Sequence, residues 1–441
     1  MRRLSDCDIF RSDSKKGGQK MTYSEQMVDQ LEAGKLKEAQ NSFKLALIND
    51  DDDMLFSLAE ELYALGFLQQ VRTIYLKLLD RYPDEDELKT SLATIAIDEG
   101  HNDEALSYLA QIKPDSPAYV QALLVAADLY QTEEEFEVTE GKLKEAYSIA
   151  PNEPAVEFAL GEFYFMVGQY ADAIQYYFQL IKNGYTDFAK VDIAGRLGIC
   201  YAQSGQFKKA LGYFKQVKPE YQTSDIRFQK GLTQLQLGDN DEAITTLEDL
   251  INDDDQYASA YPELAKAYEK ENKYQQALRV VQEGLGVDQY NEYLYSLAAE
   301  ITSHLGNQKL MKKYLVKAHE LAPDNMTITL QYSNFLLHQH DDAANIELLR
   351  PLIKEDETDP QLYWNLARSY QRTDQLDLAG KYYEAALPAY NENPTFLKEL
   401  INYYREAGET DKLMDELEHY LRLVPTDMEM QDLYDQYEDY K

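Results

Sequence analysis

Residues 158–180 read FALGEFYFMVGQYADAIQYYFQL. Apolar residues recur every three or four positions on both sides of Gly168, which predicts two helices that meet in a turn at that glycine. Gly161 and Ala173 are small residues, one in each predicted helix, and small residues at a contact let two helices approach closely. The same pattern returns when the sequence is read about 34 residues earlier or later. The stretch is therefore one unit of a repeat that accounts for most of the chain.

One position of the first helix marks each unit, and in most units it holds a small residue. The markers are Met27, Ala59, Ala93, Ala127, Gly161, Gly198, Gly231, Ala265, Ala299, Ser333, Ala367 and Ile401. Successive markers are 32, 34, 34, 34, 37 and 33 residues apart, and then 34 residues apart five times. Alanine stands twelve residues after the marker in seven units, namely Ala39, Ala105, Ala173, Ala210, Ala243, Ala277 and Ala379. Independent columns thus keep one phase, which predicts twelve helical hairpins stacked in a row.

A glycine column separates the two predicted helices in eight units. Its members are Gly34, Gly66, Gly100, Gly168, Gly205, Gly238, Gly306 and Gly408. Glycine adopts the left-handed conformation that ends a helix at little cost, and Asn272 and Asp374 are the next best residues there. Glu134 and His340 occupy the same column, and we expect their two turns to be the least regular.

From about residue 22 to residue 425 the chain resembles the tetratricopeptide repeat superfamily, whose signature is a period of 34 residues with two helices per unit. The layout of the whole chain is similar to that of the YpiA-like cytoplasmic tetratricopeptide proteins of low-GC Gram-positive bacteria. This resemblance implies an all-α, right-handed superhelical solenoid of about twelve helix-turn-helix units. It also implies a cytoplasmic location and a concave face, formed by the first helices, that binds other proteins.

Two short segments flank the repeat array, which we assign to residues 22–425. Residues 1–20 show no helical or strand period, and we expect them to form a disordered leader. Lys15-Lys16-Gly17-Gly18 would have purine-rich codons, as a bacterial ribosome-binding site does, so we hypothesise that native translation starts at Met21. The intact mass of protein made from its native gene tests this hypothesis. Residues 426–441 are acidic with apolar residues at helical spacing, and we expect a helix that caps the last repeat.

The composition excludes several classes of function. The chain has 79 acidic and 43 basic residues, and its net charge of −36 disfavours binding to nucleic-acid phosphates. Its two cysteines, Cys7 and Cys200, exclude a disulfide framework and a cysteine-based zinc site. No apolar run approaches the roughly 20 residues that a membrane span needs. No constellation of acid, base and nucleophile stands out, so we expect no enzyme, no cofactor and no metal site. The oligomeric state is left open.

The concave face of the last three repeats carries basic and amide side chains together with the chain's single tryptophan. Such side chains can hold a carboxylate through charge-assisted hydrogen bonds, and tryptophan can supply an apolar anchor. The expected peptide-binding residues are Asn334, His338, Trp364, Asn365, Arg368, Arg372, Lys398, Asn402 and Arg405. Lys398 and Asn402 look like part of the carboxylate clamp of some tetratricopeptide co-chaperones, although the full clamp does not align here. The alternative is that these side chains are solvated and neutralise nearby acids.

A second groove is expected in the first half of the chain. Its residues are Phe56, Glu60, Tyr63, Asp128, Phe158, Glu162 and Phe165. Acidic and aromatic side chains together suit an extended basic or apolar segment. The alternative is that the aromatic residues pack against the next repeat.

The sequence therefore predicts a non-catalytic scaffold or adaptor that binds extended peptide segments of one or more partner proteins in the concave groove. Two other functions stay open, namely a regulator that senses a small signalling peptide and an assembly or targeting subunit of an enzyme complex. The fold does not choose among them, because one fold hosts many functions.

Overall fold

The structure is a computed structural model that describes residues 21–353 and 359–438. The predicted leader, residues 1–20, lies outside the described residues, as do residues 439–441 of the predicted cap. The described chain is almost entirely α-helical. None of its helices is both long and apolar enough to cross a membrane.

Twelve helical hairpins follow one another through the described residues, in phase with the twelve markers. In chain order they are α1 (Tyr23–Glu32) with α2 (Leu36–Asn49), α3 (Asp52–Ala64) with α4 (Leu68–Arg81), α5 (Asp86–Asp98) with α6 (Asn102–Leu109), α7 (Tyr119–Thr132) with α8 (Phe136–Ile149), α9 (Pro154–Met166) with α10 (Tyr170–Lys182), α11 (Ile193–Gln203) with α12 (Phe207–Phe214), α13 (Ser224–Leu237) with α14 (Asn240–Asp253), α15 (Ala260–Lys270) with α16 (Tyr274–Val287), α17 (Glu292–His304) with α18 (Gln308–Leu321), α19 (Met326–His338) with α20 (Asp342–Leu349), α21 (Pro360–Arg372) with α22 (Leu376–Tyr390), and α23 (Pro394–Ala407) with α24 (Thr410–Leu423). A last helix, α25 (Met428–Glu438), packs against α24. The prediction of an all-α helical repeat solenoid is confirmed.

The chain divides into two compact units between Leu237 and Gly238. The division falls in the turn of the seventh hairpin, so the first unit ends with α13 and the second begins with α14. Within each unit the apolar faces of neighbouring helices form the core, as expected for hairpins that cannot bury their apolar surface alone.

All twelve marker residues are buried, and in two hairpins the packing leaves room for glycine only. A Cβ atom at Gly161 would lie 2.7 Å from the ring of Tyr177, and one at Gly198 would lie 2.6 Å from the ring of Phe214. Carbon atoms in contact are normally about 3.5–4.0 Å apart. The glycine thus lets an aromatic ring of the second helix rest directly on the backbone of the first.

All twelve hairpin turns have the same left-handed backbone conformation, with φ between 54° and 80°. The expectation that Glu134 and His340 give irregular turns is wrong, because their φ angles are 61° and 54°. The amide after Glu134 donates to the Tyr130 carbonyl at 2.9 Å, and the amide after Gly168 makes the matching bond to Tyr164 at 2.8 Å. Hydrogen bonding and packing fix the turn, so a residue with a side chain adopts it at a cost in free energy.

Replacing Glu134 with glycine should raise the free energy of unfolding by about 1 kcal/mol, because a left-handed conformation costs an L-residue roughly that amount. Glu134 is exposed, so little other contact is lost. The matched control is Gly168→Ala, where a Cβ would meet nothing within 4 Å and only the backbone penalty changes. Urea denaturation should move in opposite directions for the two variants. A destabilised Glu134→Gly protein would contradict the prediction.

The longest interval between markers contains a small β-hairpin that the sequence analysis did not predict. β1 (Asp187–Phe188) pairs antiparallel with β2 (Val191–Asp192), and Ala189 and Lys190 form the turn with φ angles of 47° and 66°. The ring of Phe188 lies 5.0 Å from that of Phe158 on α9, measured between centroids. The inserted residues thus add to the core between α9 and α11.

Candidate functional site

Trp364 lies in the core of the second unit. Its exposed fraction is 9%, and its ring meets Phe396 edge-on with centroids 5.3 Å apart. Nε1 donates a hydrogen bond of 2.8 Å to Oε2 of Glu399, and Nε of Arg368 lies 3.3 Å from the same oxygen. The indole therefore packs α21 against α23 and is not the exposed anchor that the sequence analysis expected. Arg368 is already paired with an acid.

Asn365 is fully buried in a network of side-chain hydrogen bonds. Its Nδ2 donates to Oγ of Ser333 at 2.8 Å and to Oδ1 of Asn334 at 3.1 Å. Asn345 stands in the column where seven repeats have alanine, and its Nδ2 donates to Oγ of Ser369 at 2.9 Å. Asn365 thus has a structural position, and Asn334 is the exposed member of this polar network.

Two further cations of the expected site are engaged within the chain. Arg372 donates from Nη1 to the carbonyl oxygen of Leu337 at 2.8 Å. Lys398 donates from Nζ to Oε2 of Glu429 at 2.7 Å, and this hydrogen bond raises the pKa of Lys398. Lys398 therefore ties α23 to the start of α25, and it is not a free lysine of the kind that a carboxylate clamp needs.

Unlike Arg368, Arg372 and Lys398, four of the expected residues keep surface polar groups that no acid or backbone carbonyl of the described residues engages: Asn334 and His338 on α19, and Asn402 and Arg405 on α23. His338 and Arg405 are exposed, and neither forms an ion pair with any residue that the structure describes. Asn402 is half-buried. The structure thus reduces the expected patch to one pair of residues on each of two first helices.

A cavity of about 610 Å³ lies among α17, α18 and α19 and is called here the α17–α19 cavity. Its lining residues are Ala299, Glu300, Ser303, His304, Gln308, Met311, Leu315, Gln331, Asn334, Phe335, His338 and Gln339. The sequence analysis named Asn334 and His338 and missed the rest. Gln331, Asn334 and His338 follow one another at spacings of three and four, and this shared helix face is the signal that could have identified Gln331.

In the first unit, Glu162 is neutralised by Arg196. Nε and Nη2 of Arg196 each donate to one carboxylate oxygen of Glu162 at 2.8 Å, and Tyr177 donates to Oε1 at 2.5 Å. The guanidinium carbon of Arg196 also lies 4.5 Å from the ring centroid of Phe165. The carboxylate and the aromatic face are therefore both occupied by the chain's own residues.

The other members of the expected second groove are dispersed. Phe158 is buried, and Phe56 is half-buried. Tyr63 donates to Oδ2 of Asp98 at 3.0 Å, and burial together with this acid raises the pKa of Tyr63 to about 12. The acidic residues that remain exposed are Glu60 and Asp128. The second groove thus keeps two exposed carboxylates, Glu60 on α3 and Asp128 on α7.

Parts of the chain match known families of helical repeats. Residues 360–427 match the family described as YpiA-like, C-terminal tetratricopeptide repeats, and residues 131–185 match the family described as YpiA-like, tetratricopeptide repeats. Residues 228–293 match a general tetratricopeptide repeat family.

Several whole proteins are similar to this chain. The TPR repeat-containing protein YpiA of Bacillus subtilis (strain 168) is 33% identical over 390 residues, which cover 88% of this chain and 91% of that protein. The TPR repeat-containing protein MJ1428 of Methanocaldococcus jannaschii is 20% identical over 339 residues, covering 72% of this chain and 59% of that protein. The crystal structure of the APC/C hetero-tetramer Cut9–Hcn1 is 14% identical with a TM-score of 0.40, covering 94% of this chain and 96% of that one. By its repeat phase, its buried columns and its likeness to YpiA, the chain belongs to the YpiA-like family of tetratricopeptide repeat proteins.

Proposed function

We propose that the chain is a non-catalytic, cytoplasmic adaptor that binds an extended peptide segment of a partner protein in the α17–α19 cavity. The observation that carries this proposal is the composition of the cavity wall. Met311 is half-buried and offers apolar contact to a side chain, with the buried Leu315 and Phe335 packed behind it, while the amide N–H groups of Gln331 and Asn334 offer donors to a peptide backbone. Ligand sites typically combine apolar walls with a few polar groups in this way.

The charge of the whole chain and of the cavity wall favours a neutral or basic segment as the ligand. The sequence analysis expected a basic patch for acidic peptides, but Arg368 is paired with Glu399 and Lys398 with Glu429. Glu300 lines the α17–α19 cavity, and the whole chain has a net charge of −36. Electrostatic complementarity therefore disfavours an acidic occupant.

Peptides selected from a phage-displayed library of random short sequences should bind the full chain through this cavity. The variant Asn334→Ala with His338→Ala should weaken their binding by about tenfold, because the loss of one or two hydrogen bonds costs roughly 1–2 kcal/mol. Fluorescence polarisation with the selected synthetic peptides measures the change.

Lys317→Ala provides the matched control, because Lys317 on α18 pairs with Glu320 and does not line the cavity. It should bind the peptides as the wild type does. Circular dichroism should give the same helicity for all three proteins. Equal peptide affinity of the wild type and the double variant would overturn the proposal, as would failure to select any peptide.

A further inference from the structure

Two neighbouring first helices of the second unit bring two carboxylates and an imidazole together. Glu269 lies near the end of α15, and Glu300 and His304 lie one turn apart on α17. Residues four positions apart share a helix face, so Glu300 and His304 point toward the same neighbour. One ligand atom from each residue lies within 4.8 Å of the other two.

Glu269 has a carboxylate oxygen whose interactions are incomplete. Oε1 is shielded from solvent and accepts no hydrogen bond from any residue in the described ranges. Nε2 of His304 is 3.7 Å away, beyond hydrogen-bond distance, and 20% of the Glu269 side chain is exposed. Burial and the nearby charge of Glu300 both raise the pKa of Glu269. A cation between the two carboxylates would satisfy this oxygen and relieve the repulsion.

The imidazole ring of His304 is held in position from the other side. It stacks on Tyr274, with ring centroids 4.6 Å apart and planes 12° from parallel. This contact supports the ring from α16 while Nε2 faces Glu269. An orienting contact of this kind is what a metal-binding histidine requires from its surroundings.

We propose that Glu269, Glu300 and His304 bind one Zn²⁺ ion. Their donor set of one imidazole nitrogen and two carboxylate oxygens suits Zn²⁺, whereas Ca²⁺ and Mg²⁺ prefer oxygen ligands alone. An ion at the centre of a triangle with 4.8 Å sides is at most about 2.8 Å from each corner, so each ligand atom moves by about 0.7 Å to reach a Zn²⁺ bond length. Glu300 is exposed, which leaves its side chain free to move toward the ion, while His304 stays against Tyr274. Water completes the tetrahedral coordination.

The proposal does not depend on peptide binding, and isothermal titration calorimetry tests it separately. ZnCl₂ is titrated into chelator-treated full-length protein in the presence of excess MgCl₂, which occupies scattered surface carboxylates. The wild type should bind one equivalent of Zn²⁺. Glu269→Gln and His304→Ala should each weaken this binding by about a hundredfold or more, since even residues that only orient a ligand contribute 10- to 100-fold.

His338→Ala is the matched control, because this exposed histidine lines the same cavity but lies outside the cluster. It should bind Zn²⁺ as the wild type does. Zn²⁺ should also raise the melting temperature of the wild type and of His338→Ala, but not of His304→Ala. The proposal fails if the wild type binds no equivalent of Zn²⁺, or if Glu269→Gln and His304→Ala bind it as tightly as the wild type.

Discussion

Replacing Trp364 with alanine should lower the free energy of opening of α21–α24 by about 3–5 kcal/mol, the usual cost of removing a large buried aromatic side chain. The indole packs against Tyr390 and Phe396, with centroids 5.1 and 5.3 Å away, and donates a hydrogen bond to Glu399. Its loss leaves a cavity and one fewer donor for a half-buried carboxylate. Hydrogen exchange of the peptides from α21–α24 measures the change locally, which suits a repeat protein whose parts open separately.

Trp364→Phe is the control for this experiment. Phenylalanine keeps most of the apolar contact but lacks the N–H donor, so its cost should be nearer 1–2 kcal/mol. Glu399 then retains Arg368 as its partner. If Trp364→Ala left exchange in α21–α24 unchanged, the tryptophan would be a surface residue and the description of this core would be wrong.

Replacing Tyr177 with alanine should lower the free energy of opening of α9–α11 in the first unit by a similar amount, about 3–5 kcal/mol. The ring is fully buried against the backbone at Gly161, where no side chain is present to fill the space. Glu162 also loses the hydroxyl that donates to it. Hydrogen exchange of peptides from α9–α11 should report the change, while peptides from the second unit stay as in the wild type.

The neighbouring Phe178 supplies a matched control, because its exposed fraction is 49%. Phe178→Ala should cost less than about 1 kcal/mol. Equal losses for the two variants would refute the packing described for Tyr177.

A second check is the double variant Gly161→Ala with Tyr177→Leu. It should be more stable than Gly161→Ala alone, because another repeat already has alanine and leucine at these two positions, Ala127 and Leu143.

The sequence was sufficient to predict the repeat phase, the markers and the position of every hairpin turn. These features recur in each unit and depend on local backbone and packing rules, so one correct unit predicts the others. The turns at Glu134 and His340 were expected to be irregular because the residue type alone was considered. The surrounding hydrogen bonds and packing impose the turn on whichever residue occupies it.

The candidate site was less predictable, because its side chains find partners one repeat away. Trp364 bonds to Glu399, 35 residues on, and Glu162 bonds to Arg196, 34 residues on. A search for complementary side chains at these separations would have paired both before the structure was known. The α17–α19 cavity depends instead on the relative packing of three helices, which cannot be predicted from the residues at equivalent positions of the repeats. The small β-hairpin was missed because each of its strands is only two residues long.

The buried network around Asn345 and Asn365 bears on how a chain of similar hairpins assembles in the right order. Most hairpins meet through apolar side chains, and apolar surfaces tolerate a wrong neighbour more readily than polar ones do. The Nδ2 groups of Asn345 and Asn365 donate hydrogen bonds to Ser369 and Ser333, which lie on neighbouring helices. Any other pairing would bury these amides without partners, at a cost of about 1–3 kcal/mol each. We infer that duplication or loss of a single repeat during evolution is far less tolerated here than in the alanine-lined parts of the array.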